Sequence, residues 1–254
     1  MGVGRIKELP SFYFSSSNIP IMSLADTLFG CLLAFFNFEQ MISNEIRGKF
    51  QDIVRGTRLQ GAADHCSTVR NLLIESFGTG PTVKSEFESR AIIKEEQAYF
   101  LKSWAKEIGL WLSALPPGSE YLTKGGESII YLAPDGLNVI KANDAIYYAT
   151  WSEYFNSLIL HNLLFPNTAY SLLGFMENDG KLNAVLEQPF IEGEQATLDD
   201  IKDFLSFNGF ENTKRQDYYN GEFGLVLEDM HDENVIARDD VLFFIDTVFY
   251  IMRK

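Results

Sequence analysis

Residues 225–246 read LVLEDMHDENVIARDDVLFFID. The apolar run Leu225-Val226-Leu227 delivers the chain into the polar loop Asp229-Met230-His231-Asp232-Glu233-Asn234. A strand over 234–237, a turn at Arg238-Asp239-Asp240 and a strand over 241–245 follow, and the second strand ends on Asp246. Short runs rich in β-branched and aromatic residues, bounded by polar turn residues, predict antiparallel strands. Asp229 and Asn234 stand five positions apart, and Asp246 comes twelve after Asn234. One loop and one hairpin thus carry three oxygen-bearing side chains.

Working outward, the pattern upstream is equally ordered. Strands are predicted over 120–124 and 128–133, on either side of Lys124-Gly125-Gly126-Glu127, where backbone amides can approach phosphates. Pro134-Asp135-Gly136 turns the chain into a third strand over 137–141 that ends on Val139-Ile140-Lys141. Apolar spacing then predicts a helix over 146–164, and it places Glu153 twelve residues after Lys141, where the carboxylate can pair with that lysine. Strands over 169–176 and 182–190 read as a hairpin through Asn178-Asp179-Gly180. A helix over 197–207 has Thr197 as its cap, with Asp199 and Asp200 in the first turn. Each piece alone is ordinary: a Gly-Gly turn, an edge lysine, an exposed helix carboxylate, an acidic loop. Their order is the signal.

That order resembles the protein-kinase-like fold, in which a strand lysine and a helix glutamate serve the nucleotide phosphates while Asp-x-x-x-x-Asn and a later Asp complete the site. The resemblance implies an ATP site with magnesium. Gly125 and Gly126 would form the phosphate turn, Lys141 would contact phosphate and Glu153 would hold Lys141. Asp229 would accept the hydroxyl proton, and Asn234 and Asp246 would hold the metal. Gln188-Pro189-Phe190 would form the hinge beside adenine. Ile245-Asp246-Thr247, and His231 inside the loop, are closer to aminoglycoside-phosphotransferase-like kinases. The segment from Gly125 to Asp246, with His161-Asn162-Leu163-Leu164-Phe165-Pro166, resembles the kinase domain of phage and mobile-element polyvalent proteins. Eight residues follow Asp246 in this sequence, so the expected large lobe is a reduced one.

The other half reads differently. Leu115-Pro116-Pro117-Gly118 cannot continue a helix, which sets an expected boundary between a helical region over 1–115 and a kinase-like domain over 116–254. Helices are expected over 42–54, 67–77 and 87–112, the last with Ile92, Ile93, Tyr99, Phe100, Trp104 and Ile108 as its buried stripe. The fold class is therefore α+β. Lys plus Arg total 21 against 35 Asp plus Glu, a formal charge of −14. That balance argues against nucleic acid and against anionic lipid as partners. The apolar run over 27–38 has 12 residues, short of the roughly 20 that span a bilayer. Two cysteines, Cys31 and Cys66, fit a reducing cytoplasmic setting without a disulfide framework.

The expected partners are a nucleotide and a protein or small-molecule acceptor. A competing expectation is a non-catalytic nucleotide-binding or interaction module on the same frame. A third is a structural protein whose acidic residues are only a solvated surface.

Overall fold

A computed structural model describes residues 44–61, 64–78 and 87–252. The apolar run over 27–38 lies outside the described residues. Three helices come first: α1 (Asn44–Arg55), α2 (His65–Phe77) and α3 (Phe87–Glu107). The third is shorter than its apolar pattern, because Gly109 takes a positive φ of 79° and turns the chain. Residues 110–112 then run beside a strand of the main sheet, Leu110 O accepting from Phe175 N and Leu112 N donating to Phe175 O, both at 2.8 Å. Gly174 permits this approach, since a Cβ there would stand 2.3 Å from Leu110 O.

The main sheet has five antiparallel strands in the order β1-β2-β3-β5-β4. They are β1 (Glu120–Lys124), β2 (Ser128–Leu132), β3 (Asn138–Asn143), β4 (Ser171–Asn178) and β5 (Lys181–Pro189). β3 is central and buried along most of its length, with Lys141 registered between Ile130 and Leu186. Helix α4 (Trp151–Leu164) crosses between β3 and β4. It starts at Trp151, later than its apolar spacing suggests, because Thr150 accepts from Glu153 N at 3.1 Å and caps it.

Beyond the sheet the chain builds small units. β6 (Glu194–Gln195), β10 (Val235–Arg238) and β11 (Val241–Phe244) form one sheet, ordered β11-β10-β6. Helix α5 (Leu198–Phe207) has Thr197 as its cap, as the sequence predicts. β7 (Glu211–Lys214), β8 (Asp217–Asn220), β9 (Leu225–Glu228) and β12 (Val248–Ile251) form another, ordered β12-β9-β8-β7. β7, β8 and β12 lie outside the strands expected from the sequence, and β7 is wholly exposed and polar. The fold is α+β, with a five-stranded antiparallel sheet followed by two smaller sheets. No described helix is long and apolar enough to cross a membrane.

The helical region is bound to α4 by buried polar contacts. Arg70 on α2 is fully buried; its Nε donates to Asn156 Oδ1 at 3.0 Å on α4, and its terminal nitrogens reach the carbonyls of Thr57 and Asp52. Lys94 on α3 donates to Ala145 O and Tyr148 O. Gln97 accepts from Trp151 N at 2.9 Å and donates to Ser152 Oγ at 3.0 Å, so a side chain of α3 satisfies the open first turn of α4. The inward face of α3 is accordingly Gln97, Leu101 and Ala105, flanked by Phe100 and Trp104. Ile92, Tyr99 and Ile108, expected in that stripe, are exposed. The need to cap α4 rotates the helix away from its most apolar line.

Two outcomes follow from these contacts. Gln97→Ala leaves a buried N–H without its acceptor and should lower urea stability by about 1–3 kcal/mol. The fully buried His161 on α4 bonds Thr247 Oγ1 through Nδ1 and Thr168 O through Nε2, both at 2.8 Å. Burial pushes this imidazole down to about 3 from 6.5, against a small upward pull from the Thr168 bond. The folded state refuses a proton that the unfolded chain accepts, so the associated stability is intact above pH 6.5 and is lost as the pH falls toward 3. The loss at pH 3 should be on the order of 4 kcal/mol. A His161→Gln variant should lack that part of the pH dependence in denaturation curves taken between pH 7 and 3.

Candidate functional site

Lys141 needs partners because its strand position buries it: its side chain is only 7% exposed. Its Nζ donates to Ile245 O at 2.8 Å and to Tyr170 OH at 3.4 Å, and stands 4.0 Å from Asp246 Oδ2. The Tyr170 ring lies 5.3 Å from the ammonium, and its hydroxyl also donates to Ile245 O at 3.0 Å. Strand β3 and the residues just after β11 therefore meet at one buried ammonium, 105 positions apart in sequence.

The loop before β10 is tied to the same point. Ile245 N and Asp246 N both donate to Asn234 O, at 3.0 and 3.4 Å. Asn234 Nδ2 donates to Asp229 O at 2.8 Å and lies 3.2 Å from His231 Nε2, which is 3.5 Å from Asp229 Oδ2. Asp229 itself has a positive φ of 62°, a conformation for which Asp is among the better-suited residues, and its carboxylate is 68% exposed. β9 and β12 pair with Val248 opposite Glu228, so one strand pair fixes both the entry to Asp229 and the exit from Asp246. Asp246 offers a partly exposed carboxylate and Asn234 an amide oxygen, hard donors that suit magnesium. Among the described residues no three His, Cys, Asp or Glu side chains converge. Phosphate and water oxygens would complete such a metal's shell, as is usual for magnesium.

The glycine turn leads into the same pocket through Glu127 and Ser128. Gly125 N donates to Ser128 O at 2.8 Å, and Gly126 lies against the Tyr147 hydroxyl, where a Cβ would require that ring to shift. The next residue, Glu127, reaches inward to line the pocket with Lys141, Asn143, Tyr148, Tyr154, Tyr170 and Asp246. Burial, and then the Asp246 carboxylate facing it, push the Glu127 carboxyl up to about 7, against the pull of Asn143 and Lys141.

Glu153 takes a different place from the one expected. Its Oε2 accepts from Ala149 N at 3.1 Å while Thr150 accepts from Glu153 N, a capping box closing the first turn of α4. The Thr150-x-x-Glu153 spacing carries that signal in the sequence. One position on, the helix turns Tyr154 and Leu158 toward Lys141, and the ion partner of Lys141 is Asp246. The Gln188 side chain is buried and donates to Thr168 O at 2.7 Å. Phe190 is 41% exposed, with its N–H donating to Leu137 O. Glu127, Tyr154 and Tyr170 are among the pocket residues that sequence reasoning missed, although Glu127 stands directly after the glycine pair. Cys66 is buried, and burial raises its thiol to about 12, which removes it as a nucleophile.

No curated protein and no solved structure matches this chain. A sequence family does: that of serine/threonine/tyrosine kinases found in polyvalent proteins matches residues 94–253. The match begins at Lys94, inside α3 and ahead of Pro116-Pro117, and so takes in the Lys94 bonds to the segment before α4 and the Gln97 contacts to α4 itself. It covers well over half of the chain, and it runs through the glycine turn, Lys141, the Asp229 loop and Asp246. The chain belongs to the polyvalent-protein kinase family.

Proposed function

We propose that the protein binds ATP with magnesium and transfers the terminal phosphate to a hydroxyl of a protein or small molecule. The observation that carries this reading is the meeting of Lys141 with Asp246 in a pocket also lined by Glu127 and Ser128, the residues just after Gly125-Gly126, with Asn234 bonded to the backbone of residue 246. In this reading Lys141 neutralises phosphate charge, and the Gly126 amide approaches the phosphates. Asp246 and Asn234 hold the metal, whose charge supports the leaving phosphate when bound. Asp229, on its exposed loop, orients the acceptor hydroxyl and takes its proton. Phe190 covers the base, while Gln188 sets the packing behind it. Such chemistry is mainly positioning and electrostatics, and these residues are fixed by backbone bonds rather than by flexible side chains.

The test is a thermal shift and a transfer assay on the full chain. ATP should stabilise the protein only with magnesium, by about 2.7 kcal/mol at a hundredfold excess over Kd. Asp246→Asn should remove most of that shift, and Lys141→Ala should weaken binding and turnover together. Asp229→Asn should leave binding near wild type and abolish autophosphorylation or ATP hydrolysis. Metal-dependent binding with no transfer to water, to itself or to a hydroxyl panel would make the protein a nucleotide-binding module; no binding at all would overturn both readings.

A further inference from the structure

The described residues contain two fully buried side-chain polar atoms with no hydrogen-bond partner, Glu127 Oε2 and Tyr154 OH. Both line the pocket that holds Lys141. Orphaned buried polar atoms are uncommon, and each one calls for a cause. Here the two come from different elements, the glycine turn and helix α4, and they are chemically complementary: a carboxylate oxygen only accepts, and a phenol donates. The space between the pocket walls is about 10 Å³, roughly one water. Glu127 bears electrostatically on both Lys141 and Tyr154.

We propose that Glu127 is the carboxylate that orients Lys141 toward the nucleotide phosphates, and that Tyr154 holds Glu127, so that the pair joins the glycine turn to helix α4. The proposal rests on the nucleotide reading of this site. Its geometry follows from the side chains that surround the lysine. Glu153 closes the first turn of α4, and the residues of α4 that line the pocket with Lys141 are Tyr154 and Leu158. Asp246 approaches the lysine from the end of β11, and Glu127 enters the same pocket from the turn. With a phosphate group beside Lys141, one bridging water satisfies both orphan atoms at once. Glu127 and Tyr154 are positioning residues: neither needs to touch the transferred phosphate.

The test uses the full chain with Tyr154→Phe and Glu127→Gln, their double variant, and ATP with magnesium as the probe in calorimetry and thermal shift. Tyr154→Phe keeps the ring and deletes only an unsatisfied hydroxyl, so its ligand-free midpoint should match or exceed wild type. Its Mg-ATP Kd should nonetheless rise severalfold, and that of Glu127→Gln tenfold or more. The double variant should be no weaker than Glu127→Gln, because both act through one link. Glu127→Asp should recover part of the affinity. A lowered ligand-free midpoint in Tyr154→Phe overturns the proposal, as does a Kd within twofold of wild type in both single variants. A wild type that binds no Mg-ATP overturns the nucleotide reading and this proposal together, whereas normal wild-type binding beside unaffected variants overturns this proposal alone.

Discussion

A lysine ammonium buried in the middle of a sheet has to be matched, because an uncompensated charge in a dry interior costs several kcal/mol. Lys141 is matched chiefly by a backbone carbonyl, Ile245 O, and only at 4.0 Å by a carboxylate, Asp246. That choice constrains the rest of the architecture. The carbonyl of residue 245 has to be presented to β3, which requires Tyr170 and Thr168 to hold the same segment through Ile245 O and Phe244 O. His161 holds it once more through Thr247. Helix α4, the loop after it and the end of β11 are thereby locked in one network, and Asp246 emerges from that network facing the pocket.

The helical region serves the same network from outside. The start of α4 is exposed to solvation loss on one side and is completed by Gln97 from α3, while Arg70 from α2 grips its middle at Asn156. A helix held by its own capping box alone would be free to tilt. One held additionally by two buried side chains from other helices is fixed in rotation, which keeps Tyr154 and Leu158 toward Lys141. The family match begins within α3, at Lys94, and so includes Gln97 with its bonds to the first turn of α4.

Local patterning made much of this legible. The strand positions around Lys141 and the Asp229–Asp246 segment read correctly because alternation, glycine turns and β-branched runs act over a few residues. The placement of α4's start was missed because Thr150 as cap outranks the apolar spacing before it. The face of α3 was missed for a different reason: a polar residue, Gln97, is buried there for its hydrogen bonds, and hydrophobic periodicity has no way to register that. Glu153 is the instructive case. Its spacing from Lys141 suits an ion pair, yet the Thr-x-x-Glu capping pattern uses the same residue for a local task. β7 (ENTK) is wholly exposed and polar, so its own composition carries little strand signal, and it is held by its hairpin with β8.

Two carboxylates share the pocket with Lys141, Asp246 from the end of β11 and Glu127 from just after the glycine turn. These two carboxylates face each other, and burial together with Asp246 drives Glu127 up to about 7. Ionised Glu127 is therefore disfavoured there, and the folded chain loses stability as the pH rises from 4.5 to about 7 on account of this group. A residue beside the glycine turn thus owes part of its protonation to a residue placed 119 positions later in the chain, through the pocket that both line.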